Sequence, residues 1–216
     1  MEKKKRKYLE IFPQIDVEPI NESNKEFVSG FRSAENNEEN YIEFSIGEYL
    51  VNEAYANQKA GKGVTYIVID KKNKKTIAFF TLSSSSLMIM LEHDDDDREN
   101  ADQLIDNYSP VQSVKVDYFA VDVDYQDTFY EDKPLAAHIF NMMISMLFDM
   151  STNRIGYRAF YLYSLDSSAD FYLKNGLARI SDAYVVSEGL PVDDVNALLY
   201  RAIHPLNTNG FKKTGK

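Results

Sequence analysis

From Tyr41 the apolar residues Ile42, Ile46, Tyr49, Leu50 and Ala54 recur at steps of three and four, which predicts a helix that Gly61 and Gly63 stop. The pattern then turns β-branched and aromatic. Residues 64–70 and 76–83 flank the polar turn Lys71-Lys72-Asn73-Lys74-Lys75 and predict a hairpin of two buried strands. After Leu87 to Leu91 comes Glu92-His93-Asp94-Asp95-Asp96-Asp97-Arg98-Glu99, whose like charges repel and predict an exposed loop. Residues 113–123 read as a strand whose apolar alternation changes face near Phe119, the mark of a bulge.

From Leu135 to Met150 the chain is apolar except for His138, Asn141, Ser145 and Asp149, so a helix with one narrow polar stripe is expected. The strand 159–163 follows. A helix from about Ser167 to Asn175 then has Asp166 as its N-cap and Gly176 as its stop, and residues 182–187 and 197–203 read as two last strands. Polar residues 18–40 predict irregular structure, with at most one short strand near Tyr8 to Phe12. Strand, helix, strand, helix, strand in that order argues for an α/β sandwich with a parallel pair in its middle.

Composition removes several chemistries. The 216 residues include no cysteine, which excludes disulfides, zinc–thiolate sites, iron–sulfur clusters and a cysteine nucleophile, and fits the reducing cytoplasm. No apolar run is long enough to span a bilayer, and no apolar core follows Met1-Glu2-Lys3-Lys4-Lys5-Arg6-Lys7 as in a signal peptide. A cytoplasmic protein without a membrane is therefore expected. No metal is expected either, because the adjacent aspartates lack the spaced ligands and the turn glycine of a calcium loop. With 24 Lys and Arg against 34 Asp and Glu, the net charge of −10 opposes nucleic acid as a partner.

Four strings, in order, carry a resemblance: Asn57-Gln58-Lys59-Ala60-Gly61 ahead of 65–70, Thr81-Leu82-Ser83, Phe119-Ala120-Val121-Asp122-Val123-Asp124-Tyr125-Gln126, and Asp170-Phe171-Tyr172-Leu173-Lys174-Asn175-Gly176-Leu177. From about Phe31 to Ile203 the chain resembles the GNAT superfamily of acyl-CoA N-acyltransferases, and within it the acetyltransferase toxins of bacterial toxin–antitoxin pairs. The resemblance implies a mixed, partly splayed central β-sheet flanked by helices. It also implies an acyltransferase domain over 31–205, after a partly irregular extension 1–30 and before a tail 206–216. The cosubstrate it implies is acetyl-CoA, with the pantetheine arm on the backbone of Phe119, Ala120 and Val121. Gln126 and the N–H groups of Leu135, Ala136 and Ala137 would then lie at the pyrophosphate. Tyr172 is the implied general acid for the departing thiolate, and Asp117 the candidate base for the acceptor amine. An exposed or hydrogen-bonded strand residue is an equal reading of Asp117, and packing is the plain reading of any tyrosine in an apolar helix.

One part of the family pattern is missing. The family's Gln/Arg-x-x-Gly-x-Gly/Ala turn is replaced after Gln126 by Asp127-Thr128-Phe129-Tyr130-Glu131-Asp132-Lys133-Pro134, with no glycine and three carboxylates. Pro134 suits the first turn of the helix, and Asp132 is placed to cap the N–H groups that an anion would need. Two functions follow: an acetyl-CoA-dependent N-acetyltransferase acting on a small cationic or protein amine, or a catalytically inactive GNAT-fold module that binds or regulates. The apolar helix could support a homodimer, although burial against the sheet accounts for it without one.

Overall fold

A computed structural model of the protein describes residues 7–8, 15–33, 46–90, 108–130, 132–179 and 196–203. The predicted Asn-rich stretch, the acidic loop 92–99, the strand 182–187 and Glu131 lie outside the described residues. The chain forms two units, Met1–Ser83 with Val116–Leu147, and Ser84–Lys115 with Phe148–Lys216.

In the first unit β2 (Ile15–Pro19), β3 (Val64–Asp70), β4 (Lys75–Met90) and β5 (Tyr108–Val121) are neighbours in that order, with β4 and β5 continuing into the second unit. The strand β2 pairs antiparallel with β3 from Ile15↔Asp70 to Pro19↔Tyr66. The hydrophobic pattern misses β2, because an edge strand carrying Asp16 and Glu18 lacks the apolar run that marks its neighbours. The hairpin β3–β4 is as predicted, and its turn has a physical cause. Buried Asp70 accepts the backbone N–H of Lys72 at 2.9 Å and the Asn73 amide at 2.7 Å, a side-chain imitation of a turn, while Lys74 takes the left-handed φ of 51°. Beyond Ser83 the four-serine run does not break the strand: β4 runs on to Met90.

The helical layer on one face is α1 (Ile46–Glu48), a π-helical turn at Tyr49–Glu53 and α2 (Ala54–Lys59). Its Tyr49, Leu50 and Ala54 join Ile20, Val28, Phe31, Ile67, Ile69 and Phe79 in one core. Gln58 explains part of the resemblance string. Its amide donates to the Ile20 carbonyl at 2.6 Å and accepts the Thr65 N–H at 2.8 Å, tying β2 to β3. Gly61, at φ +73°, ends the layer as expected.

The helix α3 (Leu135–Asn153) begins in this unit with Leu135, Ile139, Phe140, Met143, Ile144 and Leu147 buried at helical spacing. Asn141, Ser145 and Asp149 are exposed and His138 is half-buried, so the predicted stripe is real. A small separate sheet precedes α3: β1 (Lys7–Tyr8) runs parallel to β6 (Thr128–Tyr130), which pairs antiparallel with β7 (Lys133–Pro134).

In the second unit β5 pairs parallel with β8 (Ala159–Leu165) at Ser113↔Ala159, Val114↔Phe160 and Lys115↔Tyr161, the predicted parallel pair. The strand β8 then pairs antiparallel with β10 (Asn196–Ala202), and β10 with β9 (Ala178–Arg179). The helix α4 (Asp166–Lys174) starts at Asp166 itself, so Leu165 and not Asp166 holds the capping position. Its end is as predicted. Gly176 at φ +89° lets its own N–H reach the Leu173 carbonyl and that of Leu177 reach Tyr172, closing the open carbonyls of the last turn.

A Cβ on Gly176 would lie 3.1 Å from the Arg201 guanidinium and would be held at a left-handed φ. Gly176→Ala is therefore expected to lower unfolding stability by about 1–2 kcal/mol in urea denaturation. A loss below a few tenths would contradict this account of the helix end.

Candidate functional site

The end of β5 carries four of the residues that the resemblance singles out, Asp117, Phe119, Ala120 and Val121. Asp117, Tyr118, Phe119 and Ala120 are all half-buried, which is why alternation looks broken in the sequence. The cause is cover on both faces. Tyr118 stacks on Tyr49 of the π-helical turn with ring centroids 4.0 Å apart, and Phe119 meets Phe140 of α3 edge-on at 5.2 Å. Tyr118 and Phe119 thus meet different helical layers, and both are covered. Asp117 shares the Phe119 side of the strand by period two.

Beyond Val121 lies a residue that sequence reading passed over. Asp122 is fully buried, and its carboxylate accepts the backbone N–H groups of Arg32 and Asp124, both at 3.1 Å, and the Lys75 ammonium at 3.3 Å. Lys75 also meets Asp124 at 3.0 Å, as does Arg32. Burial pulls the Lys75 ammonium down, but the hydrogen bonds it donates to Asp124 and Asp122 outweigh that and hold the pKa above the ordinary lysine value. The Asp122 N–H donates to Ile77 and that of Val123 to Arg32, so the strand end is fixed from three sides. Only the Asp-x-Asp spacing after a strand hinted at it in the sequence.

Gln126 is brought to this end as well. Its amide donates to the Val121 carbonyl at 3.1 Å, so it secures the strand predicted to hold a pantetheine arm. The following turn is the small sheet. Asp132 sits at its corner with φ +65°, supplying without glycine the left-handed residue that the corner needs. Pro134 is the last residue of β7, not part of the helix, and stands in the capping position before Leu135. Asp132 is two residues earlier, so the predicted capping place belongs to a residue without a side-chain oxygen. Leu135 is buried; Ala136 and Ala137 are half-buried and small. The first N–H groups of a helix have no acceptor within it and carry the positive end of its dipole. Buried Thr128, in β6, has a hydroxyl with no hydrogen-bond partner. These are groups that could hold a coenzyme's phosphates, beside Asp127 and Asp132, which oppose them. His138 packs its ring 4.8 Å from Tyr130 as a stripe residue.

In the second unit Tyr172 is buried in α4, edge-on to Phe171 at 5.1 Å. Loss of solvation pushes its phenol up to about 12, so it is neutral and proton-bearing throughout the physiological range. Burial thus makes it a weaker acid than an ordinary tyrosine, but one that always carries its proton. The same unit holds a polar cluster that the sequence did not reveal. Ser85 and Tyr161 share a hydrogen bond at 2.5 Å, and Lys115 lies 5.7 Å from the centre of the Tyr163 ring, whose buried hydroxyl has no partner.

No family profile and no curated protein matches this sequence. Solved structures do. A tyrosine-to-phenylalanine variant of the toxin AtaT matches with a TM-score of 0.63 at 12% identity, over 88% of this chain and 90% of that one. A variant of KacT with the same exchange gives 0.60 at 15%, over 88% and 95%. AtaT complexed with acetyl-methionyl-tRNAfMet gives 0.56 at 14%, over 86% and 93%. This chain has the fold of the GNAT toxin acetyltransferases. In that GNAT frame the mixed sheet with helices on it, expected from the four strings, is the one observed. Among the described residues no helix is long and apolar enough to cross a membrane.

Replacing Asp122 by Ala strips the partner from two backbone N–H groups and leaves Lys75 to Asp124 alone. The expected loss is about 3 kcal/mol in chemical denaturation. A change under 0.5 kcal/mol would show that the buried carboxylate does not hold the strand end.

Proposed function

We propose that the protein is an acetyl-CoA-dependent N-acetyltransferase. The observation that carries this reading is the GNAT toxin fold over nearly the whole chain, supported by an AtaT structure solved with its antitoxin's C-terminus and acetyl-CoA. When bound, the coenzyme supplies an acetyl group activated as a thioester. The protein's own residues bind, orient and move protons. Backbone groups of Phe119, Ala120 and Val121 hold the pantetheine arm, and Gln126 keeps that strand end in place. The N–H groups of Leu135, Ala136 and Ala137 face the pyrophosphate, as helix starts do for anions. Asp117 takes the proton that the acceptor amine must lose, and Tyr172, neutral at working pH, gives one to the coenzyme's sulfur.

The acceptor is a small cationic molecule or a basic peptide or protein amine. The net charge of −10 supports this, since a polyanion such as tRNA needs a basic face to hold it. A second reading, an inactive GNAT-fold binding module, draws on one observation: a carboxylate-bearing hairpin with no glycine stands where the family has its glycine turn.

With polyamines and basic peptides as acceptors, Tyr172→Phe is expected to lower kcat by roughly 10² or more while the Kd for acetyl-CoA stays the same. An unchanged kcat removes Tyr172 from the chemistry. Turnover of an aminoacyl-tRNA in preference to these amines contradicts the charge argument, and no transfer to any amine favours the inactive module.

A further inference from the structure

The second unit gathers polar side chains from three strands on one side of its sheet. Lys115 of β5 and Tyr161 of β8 are the last pair of their parallel ladder, and Tyr163 follows Tyr161 on the same side by period two. The two tyrosine rings meet edge to face with centroids 6.1 Å apart, and the Lys115 ammonium lies 5.7 Å from the centre of the Tyr163 ring. Ser85 of β4 joins the group through its hydrogen bond with the Tyr161 hydroxyl at 2.5 Å. All of these residues belong to the second unit. Tyr161 is buried, while Ser85, Lys115 and Tyr163 are half-buried and still reach solvent.

One group in this cluster is not explained by the fold. The Tyr163 hydroxyl is shut off from water and has no hydrogen-bond partner. Leaving a buried hydroxyl unpaired costs roughly 1–3 kcal/mol, a cost that phenylalanine at the same place would avoid. Its neighbours set the chemistry of the missing partner. An ammonium offers only donors, and a hydroxyl can always donate one proton. Within the Ser85–Tyr161 pair one hydroxyl donates to the other, whose own O–H is directed onward. Several donors around one positive charge suit a monoanion, and a carboxylate accepts such donors on both of its oxygens. The chain's net charge of −10 repels a simple anion, so the carboxylate has to arrive on a molecule that also carries positive charge.

We propose that Lys115, Tyr163, Tyr161 and Ser85 form a binding site for the carboxylate of a basic amino acid or of a basic peptide's C-terminus. The Tyr163 hydroxyl gains its missing acceptor, Lys115 balances the charge, and the Ser85–Tyr161 pair supplies a further donor. In the acyltransferase reading such a ligand is the acceptor. The site is nevertheless defined by binding alone, so its test does not depend on transfer.

The test is calorimetric titration of the full chain with two pairs of probes. The first pair is lysine and cadaverine, which is lysine without its carboxylate, and the second is the peptide Gly-Gly-Lys with a free or an amidated C-terminus. Lys115→Met and Tyr163→Phe are compared with the unaltered chain, and melting curves without ligand are recorded for each. The unaltered chain is expected to bind the carboxylate-bearing member of a pair more tightly by about tenfold or more, and Lys115→Met to lose that preference. Tyr163→Phe is expected to melt no lower than the unaltered chain, because it removes an unsatisfied hydroxyl, and yet to bind that same probe several-fold more weakly. A tyrosine with a purely structural role would not separate the two readouts. Lysine as the tighter ligand identifies a free amino acid, and the free-acid peptide as the tighter one identifies a chain terminus. An unaltered chain that distinguishes the members of neither pair overturns the inference, as does a preference that survives in Lys115→Met.

Discussion

A buried carboxylate fixes the end of the strand on which the proposed chemistry depends. Asp122 has no exposure to solvent, yet it stays satisfied by two backbone N–H groups and a lysine. A lone buried charge would cost several kcal/mol, so these partners must arrive together. One comes from Arg32 in the segment after β2, one from the strand's own continuation, and one from the start of β4. The strand end thereby becomes a common anchor for three parts of the first unit. Val121 and Gln126, on either side of that anchor, are held relative to each other by a further hydrogen bond.

The turn after that anchor decides whether this strand end and helix start can accept an anion. Glycine is the usual means of bringing backbone close to phosphate, and here a hairpin with a left-handed aspartate takes its place. The helix start survives, with two small residues in its first turn, and so does the free end of its dipole. What changes is the local charge, which the carboxylates of the turn make unfavourable for an anion.

Most of the architecture was legible because its elements have strong periods. The hairpin at 64–83, the striped helix from Leu135 and the glycine-stopped helix at Gly176 all follow from spacing and turn chemistry. Elements without such a period were lost. The edge strand β2 is half polar, β7 is two residues long, and the serine run in β4 has no apolar face to mark it, whereas β1 meets the short strand expected near Tyr8. In the candidate site, Tyr172 was found through a string, whereas Asp122 was not. Its importance comes from contacts across 90 residues with Arg32 and 47 with Lys75, which no local pattern encodes. Proline's preference for a first helical turn misplaced Pro134 by one residue, because the ladder to Phe129 claims it first.

The central claim is that the strand end at Val121 and the start of α3 still receive a coenzyme. Amide hydrogen exchange across residues 115–140, with and without millimolar acetyl-CoA, measures this directly at each backbone group. The account predicts slowed exchange at Ala120, Val121, Ala136 and Ala137, with little change along the rest of α3. Identical exchange at all of these positions, with and without acetyl-CoA, would contradict it and leave a GNAT fold that has given up its cosubstrate.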